Sequence, residues 1–114
     1  MHAQRTSEEN KAIAQTILNQ LGGIRLLNTM IGAKNYTFDE NLVGFRYMNA
    51  ERNNSNHIQI HLLPSDLYKL EFWNIRGMKS KVVETIEGVY ADNLAEIFQD
   101  KTGLTLTMPV IYRK

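Results

Sequence analysis

The chain has 114 residues, 43% hydrophobic and 22% charged, which is the usage of an ordinary globular protein of one domain. Lys and Arg number 13 against 12 Asp and Glu, so the net charge of +1 excludes a strongly cationic polyanion binder of the histone kind. The absence of Cys excludes disulfides, thiolate zinc sites, iron–sulfur clusters and cysteine nucleophiles.

Two helices are predicted in the N-terminal part of the chain. The first begins with the capping-box spacing of Thr6 and Glu9. Its apolar stripe recurs every four residues, at Ile13, Ile17 and Leu21. The second covers Ile24 to Ile31, and Gly32 ends it. Because only two glycines separate these helices, an N-terminal helical hairpin is expected.

After Gly32 the hydrophobic period changes to two, which is typical of half-buried strands. The predicted strands cover residues 36–38, 42–48, 57–63, 67–75 and 79–86, and Asn49–Asn56 is predicted to be a polar loop. Short polar turns join the last three strands, so the pattern indicates an antiparallel meander of four or five strands.

A C-terminal helix is predicted from Ala91 to Thr102, ended by Gly103. Residues 104–108 alternate like an edge strand, which Pro109 limits. The expected fold is therefore α+β: an N-terminal helical hairpin, an antiparallel meander, and a C-terminal helix packed on one sheet face. We expect a single domain of residues 1–114, frayed at 1–6 and 109–114. With no membrane-length apolar run and no signal-like start, a cytoplasmic location is expected.

Three stretches carry a resemblance to a known group: Ala14–Gly23, Ile31–Tyr36, and the run from Asp66 to Asp92 with its Glu87-Gly88-Val89-Tyr90-Ala91-Asp92 segment. Together they resemble small uncharacterised proteins of bacteriophages, prophages and mobile elements, over roughly Asn10 to Leu106. The matching motifs are structural, namely glycine helix ends, sheet aromatics and a helix start. The resemblance implies a viral or mobile-element origin, hence a host-cell cytoplasmic location, and carries no mechanism.

Candidate catalytic and metal-binding residues are few. His57 and His61 are four apart on a predicted strand, about 13 Å from each other, too far to share one zinc ion. No Gly-x-Ser-x-Gly elbow occurs. Glu71 and Glu84 are expected to face each other on neighbouring strands, where such groups are usually solvated charges. The sequence therefore predicts no catalytic residue, no metal and no cofactor, and a protein that is not an enzyme.

The predicted sheet face opposite the main apolar stripe is the first candidate binding surface. Its candidate residues are Arg46, Met48, His61, Lys69 and Trp73. Trp73 and Met48, with Leu63 and Leu67, make this face more apolar than a monomer requires, which indicates association with a protein partner or a second copy. The alternative is that the Leu104–Tyr112 tail covers it.

A second candidate surface is the basic hairpin of Arg76, Lys79 and Lys81, where no acidic residue occurs between Asn74 and Val83. Cations beside an exposed Trp are what single-stranded nucleic acid uses for phosphate contact and stacking. The same cations also serve as ordinary protection of a hairpin edge. The helix–three-strand–helix order is shared with the double-stranded RNA-binding domain. However, the last helix carries Asp92, Glu96 and Asp100 where that module needs lysines.

Two functions follow as hypotheses. The leading one is a non-enzymatic phage or mobile-element accessory protein that acts by stoichiometric protein binding. The alternative is a nucleic-acid-binding protein that combines the basic hairpin with the open sheet face. No membrane partner is expected.

Overall fold

A computed structural model describes residues 7–106. Its elements follow one another as α1 (Ser7–Gln20), α2 (Ile24–Ile31), β1 (Lys34–Asp39), β2 (Leu42–Ala50), β3 (Ser55–Leu62), β4 (Tyr68–Arg76), β5 (Lys79–Val89), a short 3₁₀ helix (Ala91–Asn93) and α3 (Leu94–Thr102). The predicted α+β class is confirmed. The Thr6 cap and the frayed ends fall outside the described residues.

The sheet has five antiparallel strands in the order β1-β2-β3-β4-β5, so the predicted meander is confirmed with the larger strand number. Each strand pairs with the next along the chain because the connections are short. At the β4–β5 turn, Gly77 has a φ of 59°, and Arg76 lies opposite Lys79. A glycine first in a two-residue turn suits the twist of a hairpin.

The helix ends lie where the glycines predicted them. Gly32 closes α2 in the left-handed region with a φ of 65°, and its N–H bonds the Leu27 carbonyl. Gly22, with a φ of 118°, separates α1 from α2. The bounds of α2 are those predicted. The pairing of α1 and α2 as a hairpin stays a prediction.

The predicted loop Asn49–Asn56 is shorter in the structure, since β2 extends to Ala50 and β3 begins at Ser55. Ser55 is fully buried and its hydroxyl lies 2.6 Å from that of Tyr47. The Asn53 side chain accepts bonds from both the Ser55 N–H and its hydroxyl, so the remaining turn is held by side chains.

The chain after α3 does not form the predicted edge strand within residues 104–106. The Leu104 N–H donates to the Thr102 hydroxyl and the Leu106 N–H to the Gln99 side-chain oxygen. These bonds tie the segment to the helix it has just left and bury Leu106. The rest of the predicted strand lies outside the described residues.

Alternate residues of the central strands form the core. The large side chains that are fully buried in the sheet are Val43, Phe45, Ile58, Ile60, Leu70 and Phe72. Phe98 of α3 contacts this layer, with its ring centroid 6.4 Å from that of Phe45, 5.2 Å from Tyr47 and 6.2 Å from Phe72. At the far end of the sheet the Tyr68 hydroxyl donates to Gln20 of α1 at 2.8 Å.

None of the helices within residues 7–106 has the length and apolar character that a bilayer crossing requires.

Candidate binding surface

The other side of the sheet is the candidate binding surface, called the open face below. Directly opposed residues of an antiparallel pair share a face. The register therefore places one cross-strand row on it, the Trp73 row: Lys34, Arg46, His57, Trp73 and Val82. Across the described residues, no hydrogen bond, ion pair or ring contact joins this row to a helix.

At the centre of the Trp73 row, two polar ring atoms are buried without a protein partner. They are Nδ1 of His57 and Nε1 of Trp73, on residues directly opposite each other on β3 and β4. Burial, and then the nearby Arg46 charge, lowers the pKa of His57 below its ordinary value. His57 is therefore held neutral, which reduces the cost of its position next to Arg46.

The same pKa shift predicts a pH dependence of stability. The unfolded chain takes up the His57 proton below about pH 6.5, whereas the folded chain resists it, so the free energy of unfolding falls as pH drops through this window. His57→Gln has no imidazole to protonate, so its unfolding free energy should not show this fall on acidification. We expect the difference in unfolding free energy between wild type and His57→Gln to shrink on acidification. A difference that is constant from neutral to acid pH in urea titrations would contradict the assignment.

A second row, the Glu71 row, crosses the open face one step away: Thr37, Gly44, Gln59, Glu71 and Thr85. The Glu71 carboxylate lies 3.1 Å from His61 Nε2 and 3.7 Å from Lys69 Nζ. All three side chains are 20–32% exposed. The predicted residues His61 and Lys69 thus lie together, and they are joined through a residue that was not predicted for this surface.

The prediction that Glu71 and Glu84 face each other on neighbouring strands is wrong. Glu71 is opposite Thr85 on the open face, whereas Glu84 is opposite Phe72, on the side of the helices. The reason is a bulge between Phe72 and Trp73, which inserts Val83 into β5 and reverses the alternation beyond it. Glu84 there lies 3.6 Å from Lys101 Nζ of α3.

Exposed apolar side chains also mark the open face. Met48, two residues beyond Arg46 on β2, is 49% exposed, and Val82 at the end of the Trp73 row is 41% exposed. The register therefore brings Arg46, His61, Lys69 and Trp73 to one face. Met48 lies at the border of this face, where the β2–β3 register shifts between Arg46 and Ala50, and it lines a depression with Thr102, Gly103 and Leu104 at the end of α3. His57 and Val82 were missed as members. Alternation on β3 could have found His57, whereas the side of Val82 depends on the β4–β5 register.

The basic hairpin does not share this face. Lys81 lies opposite Asn74, and Lys79 lies opposite Arg76. Asn74 and Arg76 occupy alternate positions after the buried Phe72 on β4, so the hairpin cations lie on the same side of the sheet as Phe72. An open depression of about 600 Å³ lies beside them, lined by Asn74, Arg76, Met78, Lys79, Ser80 and Lys81. Neither Trp73 nor Val82 lines it. The sequence analysis combined the hairpin cations with the face of Trp73. In the structure the cations and Trp73 lie on opposite sides of the sheet.

Over residues 7–106, no group of three or more His, Asp or Glu side chains is placed to hold a metal ion. His61 and Glu71 lie in hydrogen-bond contact on a sheet face, and Lys69 is a further partner of Glu71.

Comparison of the chain with protein-family models, with curated proteins and with solved structures found no match.

Proposed function

We propose that the chain is a non-enzymatic accessory protein of a phage or mobile element, and that it acts in the cytoplasm by stoichiometric binding of a protein through the open face. One observation carries the binding function. The sheet presents Trp73 and Val82 on the side to which, among the described residues, no helix contributes a polar or ring contact, and the half-exposed Met48 lies at the border of that side. The origin rests on the resemblance in the sequence.

The composition of the open face supports a protein partner. Protein interfaces are enriched in Trp, Met and Arg, which supply apolar contact area and hydrogen bonds together. Met48, Trp73 and Arg46 provide these residue types here. The neighbouring side chains of His61, Lys69 and Glu71 supply a polar rim, because these half-buried groups are already paired with one another.

The fold supports the same reading. Contacts from α1, at Tyr68, and from α3, at Phe45 and Phe72, all reach one side of the sheet. An antiparallel sheet with helices on one side exposes its other side to solvent or to a partner. A purely solvated face carries polar side chains at alternate positions. The apolar members of the open face therefore favour a partner.

Met48→Glu tests the surface and Met78→Glu is its matched control. Met48 is 49% exposed at the border of the open face, two residues from Arg46, whereas Met78 is fully exposed at the β4–β5 turn. Both substitutions should leave the unfolding free energy within about 0.5 kcal/mol of wild type, as exposed changes usually do. Burying an unpaired Glu in an interface should weaken binding by about 10- to 100-fold for Met48→Glu only.

The measurement is capture of host proteins on the immobilised full chain, followed by affinity determination for the captured protein with both variants. Equal capture by both variants, or a strictly monomeric and partnerless wild type, contradicts the proposal. Anisotropy of labelled single- and double-stranded oligonucleotides at low salt checks the alternative. Oligonucleotide binding that Arg76→Glu abolishes and Met48→Glu spares would identify a nucleic-acid-binding protein instead.

A further inference from the structure

Within residues 7–106, β5 offers the longest strand edge that no other strand pairs with. β5 covers Lys79–Val89 and is the last strand in the sheet order, so only β4 pairs with it. Within the described part of the chain, its residues make no backbone hydrogen bond beyond the β4 pairing. An edge of this kind presents a row of free N–H and C=O groups that another strand can pair with.

The two edges of the sheet differ in length and composition. β1 is only six residues long, and its pairing is interrupted by a bulge at which Asn35 has a φ of 56°. β5 has 11 residues and no Pro, and its centre from Val82 to Ile86 is rich in β-branched residues, while its pairing with β4 shifts register twice, at Val83 and near Gly88. The lysines at positions 79 and 81 protect this edge only against strands that also present cations.

The charges of β5 are divided between its two halves. Lys79 and Lys81 lie in the first half, and Glu84 and Glu87 lie in the second. In a parallel pairing of two copies, each half meets a half of the same sign. In an antiparallel pairing, the lysines of one copy meet the glutamates of the other, twice by symmetry.

The faces of the strand agree with such an arrangement. Lys81 and Glu84 both point to the helix side of the sheet, because they lie opposite Asn74 and Phe72. Ser80 and Thr85, opposite Ile75 and Glu71, both lie on the open face. A two-fold axis between Val82 and Val83, at the bulge, brings Lys81 opposite Glu84 and Ser80 opposite Thr85. Because the bulge shifts the alternation by one residue, the members of each of these pairs share a face.

We propose that two copies of this chain pair antiparallel along β5 and form one continuous sheet. The two-fold axis is perpendicular to the sheet, so the open faces of both copies lie on the same side. If the open face binds a protein as proposed above, the pair presents that surface twice and gains avidity for a repetitive partner. The pairing itself does not depend on that function.

A charge-swap experiment tests the pairing. The first variant, Lys79→Glu with Lys81→Glu, makes the strand wholly acidic. The second, Glu84→Lys with Glu87→Lys, makes it wholly basic, and because Glu84 also contacts Lys101 its unfolding free energy is measured alongside. Sedimentation equilibrium should show a concentration-dependent dimer for wild type and self-association weakened at least about 100-fold for each variant alone. An equimolar mixture of the two variants should recover the dimer, because opposite charges then meet across both halves.

Three outcomes would overturn the proposal: a wild type that is monomeric up to its solubility limit, variants that dimerise like wild type, or a mixture that fails to recover the dimer. Met48→Glu separates the two surfaces, since it changes the open face and leaves β5 intact. A dimer that Met48→Glu abolishes and the charge variants preserve would place the contact between copies on the open face and refute edge pairing. Loss of a partner with an intact dimer would affect the proposed function alone.

Discussion

Phe98→Ala should be the most destabilising single substitution considered for this protein, lowering the free energy of unfolding by about 3–5 kcal/mol. Phe98 is fully buried and contacts the rings of Phe45, Tyr47 and Phe72, so its truncation leaves a cavity at the junction of α3 with β2 and β4. Domains of this size are stable by about 5–15 kcal/mol, so the loss is a large fraction of the total stability.

Urea titration followed by far-UV circular dichroism measures this loss. Phe38→Ala is the matched control, because Phe38 is 44% exposed at the edge strand β1. Its truncation should cost less than about 1 kcal/mol. A cost below about 1 kcal/mol at Phe98 as well would mean that α3 does not pack on the sheet as described.

Tyr47→Phe should have the largest pH-dependent effect. The Ser55 hydroxyl donates to Asn53, so the Tyr47 hydroxyl is the donor in its 2.6 Å contact with Ser55. Removing it at neutral pH leaves a buried acceptor with one partner fewer, at a cost of about 1–2 kcal/mol. Burial raises the pKa of Tyr47 well above its ordinary value.

The sign of the alkaline effect follows from this shift. Above about pH 10 the unfolded chain loses the Tyr47 proton and the folded chain keeps it, so wild-type stability falls by up to about 1.4 kcal/mol per pH unit. Tyr47→Phe has no such proton. Its stability should approach that of wild type above pH 10 and then exceed it. Tyr36 and Tyr68 also have raised pKa values but are common to both proteins and cancel in the difference. A difference in unfolding free energy that is independent of pH between 8 and 11 contradicts a buried, protonated Tyr47.

Much of the secondary structure was predictable because its causes are local. Two glycines separate α1 from α2 and Gly103 ends α3, since few other residues adopt their positive φ. The period-two alternation of β2, β3 and β4 matches their burial. It also identified Arg46, His61, Lys69 and Trp73 as sharing a face, because successive strand residues point to opposite sides whatever their partner.

The misplaced residues all depend on pairing with another strand. The bulge between β4 and β5 decides the side on which Glu84 lies, and the register that starts at the β4–β5 turn decides the sides of Val82, Lys79 and Lys81. The Asn49–Asn56 loop was overestimated for a similar reason. Its polar composition indicates a turn, but Ser55 is buried by a hydroxyl contact with Tyr47 on the neighbouring strand.

Local patterning in the amino-acid order was thus enough for the α+β class, the helix ends and the antiparallel meander, because backbone preferences and burial periodicity act within a few residues. Which side of the sheet receives Glu84, Lys79 and Lys81, and which receives Trp73 and Val82, came from strand register and from one inserted residue. Strand register depends on the free energy of the whole sheet. It therefore placed the hairpin cations and Trp73 on opposite sides, although these residues are close together in the sequence.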